Sequence, residues 1–510
     1  KFLDRGYNLK WGVLGSGFWK GQRSGGTSTS NDPYQGCTTS FGLYDNGKTA
    51  DGSPETAPYD IRYPNAPIFA DIEKNFDQDP DNDIPYDELF PEGTFQHFFR
   101  ENNLKAIFGL RVNFKAMPGD GGNFKAANDG QWVQEGLDKG YFLKNEDGTL
   151  LTTTVLFPAG NVYMLDTSNP EALAWYKEGT EYWYVNGWKE DTMATNQGTF
   201  RDHDDVPGGA DYYLCYDEDA NGNLVRNNVM EMVRNGAYSL HGDILRINDT
   251  GSNDPGRIIT NTAAFAASGM GNVYPDIVGA NFATGSIGKP GYQNFLARNA
   301  IACALMPSVS LGNLPWGADN PLEPAVLNAM NWHSTYQAYI YDAARKSWET
   351  GYPYSYNPLF LAYPDDPNVA NQFDKNVSTA QWLIGESLMA APILDNTTSS
   401  MNGNKSDIRD VYLPAGSKWM DINTGEIYEG GQTLTDVKMD LMTMPVYVGN
   451  TAITVREDWM DTESTLPENE NYGYRDRSVL YNDLYCDVYP ISPEGAVYEF
   501  TYPYSPEKVD

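Results

Sequence analysis

Four aspartates in this 510-residue chain stand where a carboxylate could act on a substrate. Asp71, Asp191 and Asp276 each close a short apolar run of β character, and Asp319 follows another such run. Carboxylates at the C-terminal ends of parallel strands collect on one rim of a barrel, where such folds carry their chemistry. Two carboxyl groups flanking an anomeric carbon are enough to cleave a glycosidic bond: one attacks the carbon or activates water, and the other protonates the departing oxygen. Spacing along the chain does not choose the pair. Asp243, in SLHGDILR, competes for the acid role; its plain alternative is a surface loop carboxylate.

The elements that would position these groups alternate in character. Short β-like runs at Leu9–Leu14, Ile68–Ile72, Ala106–Val112, Gly187–Asp191, Arg257–Thr260, Val273–Val278, Pro307–Leu311 and Tyr354–Phe360 are separated by longer helical or loop segments. Helices are expected over Asn169–Asn186, capped by Ser168, and over Leu327–Thr350, ending at Gly351 and Pro353. Trp332, Tyr336, Tyr339 and Ala343 recur at three- and four-residue spacing, which gives that last helix a buried face. After residue 375 the texture becomes strands and Gly turns, as in RDVYLPAGSKWMD and MPVYVGNTAITV. The expected fold class is therefore α/β: a (β/α)8 barrel over residues 1–365, then antiparallel β-domains at 366–450 and 451–510.

Composition narrows the partners. Lys and Arg number 35 against 69 Asp and Glu, a net charge of −34, which repels phosphate backbones and anionic lipid. Nucleic acid and membrane insertion are not expected, and no apolar stretch is long enough to span a bilayer. Aromatic residues make up 13 %, with 35 Tyr and 12 Trp, suited either to stacking on sugar rings or to ordinary packing. The four cysteines, at 37, 215, 303 and 486, have no zinc-ligand spacing, and Cys303 sits in an apolar run as a small core residue. The loop DEDANGNL begins like a calcium loop but has Asn228 at its twelfth position, so a solvated turn is expected there. No metal or cofactor is implied.

The choice among the carboxylates comes from a resemblance. In order, KAIFGLRVNF, GYFLKNEDGTL, MLDTSNPEALAWY, NGWKEDTM, GRIITNTAAFAASGMGNVYPDIVGAN, GYPYSYNPLFLAYPDDPN, QWLIGESLMAAPIL, RDVYLPAGSKWMDINTGEIYEGG and MPVYVGN resemble the landmarks of glycoside hydrolase family 31, the α-glucosidases, α-xylosidases and relatives. The resemblance implies Asp191 as nucleophile and Asp276 as general acid and base. It also implies sugar-binding roles for Asp71 in PIFAD, Arg111, Lys189, and Trp316 and Asp319 in PWGAD. Against these stand plainer readings: Lys189 paired with Glu190 or Asp191, and Trp316 as barrel packing.

Departures from the family's pattern accompany it. Ala194 stands where relatives carry a Glu, Asn261 where they carry an Arg, and the Arg-x-His segment before the last helix is missing. His333 falls inside that helix and reads as structural. Such losses imply an altered −1 subsite, for an α-galactoside, an α-N-acetylhexosaminide or another unusual sugar. The activity implied is a retaining, exo-acting α-glycosidase, with a transglycosylase or a non-catalytic sugar binder as alternatives. The partner would be an oligosaccharide or glycoconjugate, outside the cell or in a periplasm. The chain begins at what reads as the first barrel strand, so an N-terminal β-sandwich either lies upstream or has been lost.

Overall fold

The computed structural model describes residues 2, 5–14, 104–110, 113–121, 131–155, 160–181, 186–190, 216–227, 229–233, 243–246, 256–275, 277–279, 287–312, 314–369, 380–393, 407–458 and 483–501. Two compact units divide the chain. One comprises Lys10–Asp243 and Pro467–Asp476; the other comprises Lys1–Leu9, Ile244–Leu466 and Arg477–Asp510.

The described elements of the first unit are β1 (Trp11–Leu14), β2 (Lys105–Leu110), β3 (Asn113–Lys115), α1 (Gln131–Lys139), β4 (Thr152–Val155), β5 (Gly160–Met164), α2 (Pro170–Glu181), β6 (Gly187–Glu190), β7 (Tyr216–Glu218), β8 (Leu224–Arg226) and β9 (Met230–Val233). β1, β2, β6 and β9 lie side by side and all parallel, with Ile107 opposite Gly187 and Gly187 opposite Met230. A Cβ at Gly187 would meet the Met230 carbonyl oxygen at 2.8 Å, so only glycine lets the neighbouring backbones approach this closely. β3, β5 and β4 form a small antiparallel sheet, and β7 and β8 a hairpin. Phe142 stacks on Tyr163 at 5.2 Å and tilts against Phe114 at 5.1 Å, an aromatic core that ties the small sheet to Trp175 of α2.

Helix α2 starts one residue later than the sequence implies. Asn169, not Ser168, is the cap: its side-chain oxygen accepts the N–H groups of Glu171 and Ala172, and Pro170 occupies the first turn, where its missing donor costs nothing. The Ser168 hydroxyl is already donated to Asp166.

The second unit carries β10 (Ile244–Arg246), α3 (Gly256–Ala267), β11 (Val273–Tyr274), β12 (Ile277–Val278), α4 (Pro290–Ala304), β13 (Ser310–Leu311), α5 (Glu323–Thr335), α6 (Gln337–Thr350), β14 (Asn357–Pro358) and the single turn α7 (Leu359–Ala362). β10 pairs with β11, and β12 with β13, both parallel. The strand expected at Arg257–Thr260 is instead the first turn of α3. Ile259, Thr262, Ala263 and Ala266 are all buried at helical spacing, and that one-sided burial outweighs the β-branched start of the run. The helix expected over Leu327–Thr350 is two: Tyr336 leaves helical geometry at φ −97°, ψ 12° and separates α5 from α6. Tyr336 and Tyr339 are buried as expected, and α6 ends at Gly351 in the left-handed region, φ 73°. The run Tyr354–Phe360 contributes only the short strand β14 before turning into α7.

Beyond it lie β15 (Trp382–Ile384), β16 (Leu388–Ala390), β17 (Ile408–Leu413), β18 (Lys418–Asp421), β19 (Ile427–Glu429), β20 (Gln432–Lys438), β21 (Val446–Val448), β22 (Ile453–Asp458) and β23 (Asp483–Val488). Six strands form one sheet in the order β14-β15-β16-β21-β18-β19, antiparallel throughout. β17 and β20 pair antiparallel with a bulge between Arg409 and Val411, and β22 and β23 pair antiparallel over six residues each. Trp382, Leu388, Val446 and Val448 of the large sheet share a core with Tyr292, Leu296 and Ile301 of α4. Burying each such side chain stabilises the fold by about 1.5–3 kcal/mol.

The architecture is thus mixed α/β, with parallel strands in each unit and antiparallel sheets toward the C-terminus. Closure into the expected (β/α)8 barrel would run through Ile68–Ile72, outside the described residues.

Candidate active site

Of the residues singled out from sequence, Asp71, Arg111, Asp191 and Asp276 lie outside the described residues, as does Ala194. The structure describes Lys189, Asp243, Asn261, Trp316 and Asp319. Lys189 belongs to the first unit, and Trp316 and Asp319 to the second.

Lys189 is the third residue of β6, two before Asp191 in sequence. It is 8 % exposed, in register with Gly109 on one side and Met232 on the other. An ammonium in so dry a place requires compensating charge or hydrogen bonds, so its burial marks this strand end as electrostatically specialised. Next door on β9 is a residue the sequence reading missed. Glu231, opposite Trp188, is 2 % exposed. The signal was there: an acidic residue inside the apolar run MEMV. Asp243 is held to this residue at both ends, because its carboxylate accepts the Glu231 N–H at 2.7 Å and its own N–H donates to the Glu231 carbonyl at 3.0 Å. It acts there as a backbone clamp rather than a free surface carboxylate.

Trp316 is packed by Phe2, Arg5 and Tyr7. Phe2 meets it edge-on at 4.7 Å, Tyr7 lies 6.3 Å away, and the Arg5 guanidinium sits 4.7 Å from the ring centroid while its Nη1 holds the Glu323 carboxylate. Asp319 is exposed, and both it and Ala318 adopt positive φ, 52° and 51°. Two such residues in succession cost about 1–2 kcal/mol each. Asn320 holds the turn, donating to the Pro315 carbonyl at 2.8 Å and accepting the Leu322 N–H at 3.0 Å. Asn261, expected beside a strand end, lies within α3, so it does not stand in a strand-end arginine's place.

Other expectations resolve simply. In the DEDANGNL loop, Asp219 accepts the Asn223 side-chain amide at 2.9 Å and the N–H groups of Asn223 and Asn221, both at 2.8 Å, and these bonds hold its carboxyl below the usual range; the loop is the β7–β8 turn. No group of three or more potential metal ligands occurs among the described residues. Cys303 is buried, and desolvation pushes its thiol up to about 12. His333 Nδ1 donates to the Ala304 carbonyl, 2.8 Å away, and burial lowers its pKa despite that contact. No described helix is long and apolar enough to cross a membrane.

One charged cluster went unread in the sequence. Asp342 of α6 is fully buried, bonded by Arg345 at 2.9 Å, by the Tyr498 hydroxyl at 3.0 Å and by the Thr501 N–H at 3.3 Å, with the Lys346 ammonium at 3.1 Å. Residues 498–501 are thereby fastened along α6, and its pairing partner lies more than 150 residues away.

Comparison with known proteins fits these landmarks. Residues 351–453, which contain the antiparallel sheet, match the C-terminal domain of glycosyl hydrolase family 31. With the relatives below, this makes the chain similar to glycoside hydrolase family 31 over part of its length. Among its relatives, alpha-glucosidase 2 of Bacillus thermoamyloliquefaciens is 29 % identical over 175 residues, 33 % of this chain and 20 % of that protein. A 1,6-alpha-glucosyltransferase of Sporosarcina globispora is 33 % identical over 141 residues, 27 % of this chain and 10 % of that one. In fold, the cycloalternan-forming enzyme of Listeria monocytogenes superposes with a TM-score of 0.55 at 17 % identity, over 77 % of this chain and 37 % of that one. The chain therefore spans a minor part of each of these relatives' lengths.

Proposed function

We propose that this chain is a retaining, exo-acting α-glycoside hydrolase built on a (β/α)8 barrel. The observation that carries the reading is the family 31 match at 351–453, preceded in order by the GWKED strand whose Lys189 is buried. Asp191 attacks the anomeric carbon as the bond to the leaving oxygen breaks, and Asp276 gives its proton to that oxygen. Water then attacks the same carbon, its proton passes to Asp276, and the bond to Asp191 breaks, which restores both groups. Asp71, Arg111, Trp316 and Asp319 are the proposed sugar-binding residues. Ala194 and the missing Arg-x-His segment favour a −1 sugar other than glucose, with α-galactosides and α-N-acetylhexosaminides as the leading classes. Such substrates lie outside cells, and an extracellular or periplasmic site of action follows from the same reading.

The test is covalent labelling with an electrophilic α-glycosyl inhibitor, followed by peptide mapping, alongside turnover of a panel of aryl α-glycosides. Label on Asp191 is expected; label on another carboxylate overturns the assignment. Transglycosylation is a second reading, favoured by the likeness to a glucosyltransferase and to the fold of a cycloalternan-forming enzyme. Products that incorporate an added acceptor sugar at the expense of hydrolysis would establish it.

A further inference from the structure

One face of α6 carries exposed aromatic residues. Tyr341, Arg345 and Trp348 follow each other at four- and three-residue spacing, and Tyr352 continues the line just past Gly351. Residues so spaced form one stripe along a helix. The opposite face, with Tyr339, Ala343 and Ser347, is buried. Trp348 is 77 % exposed, Tyr341 52 % and Tyr352 37 %. An indole so far in water is unusual for a residue that is highly buried on average, and rigid exposed aromatics mark binding surfaces.

Two members of the stripe, Arg345 and Tyr352, are held in place before anything binds. The Arg345 Nη1 donates to both oxygens of Glu349 at 2.6 Å, and its Nη2 to Asp342 at 2.9 Å. The Tyr352 hydroxyl donates to the Leu361 carbonyl and accepts from Asn357 Nδ2 at 2.9 Å, while its ring meets Tyr354 edge-on at 5.0 Å. Ordering costs on binding are correspondingly small.

Three occupants can be weighed. A polyanion is disfavoured by Glu349 beside the stripe and by the net charge of −34. A protein interface buries roughly 800 Å² on each side around an apolar core, whereas here the exposed neighbours are Glu349, Thr350 and Gly351 rather than aliphatic anchors. A neutral sugar chain needs what is present: flat aromatic faces for its C–H surfaces, interleaved with a guanidinium and a carboxylate for its hydroxyl edges. We infer that Tyr341, Trp348 and Tyr352, with Arg345 and Glu349, form a non-catalytic docking surface for a neutral polysaccharide chain. The choice of a glycan as occupant rests on the glycosidase reading above.

The full chain is run by electrophoresis through native gels containing soluble starch, dextran or galactomannan, whose side branches are α-galactosyl units. Retardation by at least one polymer is expected, with Trp348→Ala weakening apparent affinity about tenfold, as loss of a stacked ring implies. Trp348→Phe should retain most of it, and aryl α-glycoside kcat/KM should change less than about twofold in both variants, since only polymer docking is lost. No retardation in any of the three polymers, or equal retardation of Trp348→Ala and the parent, overturns the inference. So does a change of oligomeric mass in Trp348→Ala by light scattering, which would give the stripe to a protein partner. Retardation does not require turnover: a chain that is retarded through Trp348 but inactive on every glycoside overturns the hydrolase reading and leaves this one, and an active chain without retardation does the reverse.

Discussion

The parallel strands of the first unit and the antiparallel sheet of the second bury different chemistry. On β6 and β9 the buried residues include Lys189 and Glu231 beside Trp188 and Met232, whereas β15, β16 and β21 contribute Trp382, Leu383, Leu388, Met389, Val446 and Val448. Burying a charged group costs several kcal/mol unless it is well compensated, while burying a hydrocarbon stabilises. A sheet that tolerates the first is positioned for a task, and one built of the second is a foundation. The contrast teaches that function in this chain should be separable from stability by substitution.

The sharpest way to break that contrast is Asp191→Asn. Aryl α-glycoside kcat should fall by about 10⁴-fold or more, with the unfolding midpoint unchanged. Thermal unfolding and turnover measured on one preparation decide it; if both collapse together, the separation is false.

Trp382→Ala is the converse. The indole is fully buried, stacked on Tyr356 at 4.7 Å, with its N–H donated to the Leu305 carbonyl at 2.9 Å. A loss of about 3–5 kcal/mol is expected in denaturant unfolding, with kcat intact below the transition. Lost kcat in a still-folded variant would show that the two regions are not separable.

Acidification gives a smaller effect in the second unit. Burial lowers the His333 pKa in the folded state, so the unfolded state binds the extra proton first. Its contribution is complete above the unfolded value of about 6.5 and is lost as pH falls through the lowered folded value. Unfolding midpoints at pH 7.5 and 5.5 should differ more in the parent than in His333→Gln; equal differences would remove the histidine from the account.

Smallest is Asn169→Ala, which removes the cap of α2 and should cost about 1 kcal/mol by denaturant unfolding. An unchanged midpoint would show that Pro170 alone sets that helix start.

How much of this was legible in the sequence depends on where the information lies. Gly351 and the buried spacing of Tyr336 and Tyr339 were local, and they read correctly. The RIIT start of α3 read as strand because β-branched residues weigh locally, whereas Ile259, Thr262, Ala263 and Ala266 share a face only over eight residues. The break at Tyr336 carries no Gly or Pro to announce it. Nothing in the sequence singles out Asp342, whose burial depends on the distant Tyr498 and Thr501 as well as on Arg345 and Lys346. Of the candidate site, Lys189 and Asp319 were named from the family's landmarks, but the burial of Glu231 depends on neighbours in space that no spacing rule supplies.

The fastening of residues 498–501 onto Asp342 also gives the molecule a specific vulnerability. A protease that cut between β23 and Tyr498 would remove the phenol and the amide that solvate this carboxylate, and would uncover the Tyr339 ring, 5.6 Å from Tyr498. Trimming a few residues there would unsettle α6 itself, so the integrity of this segment sets how long the folded molecule resists proteolysis.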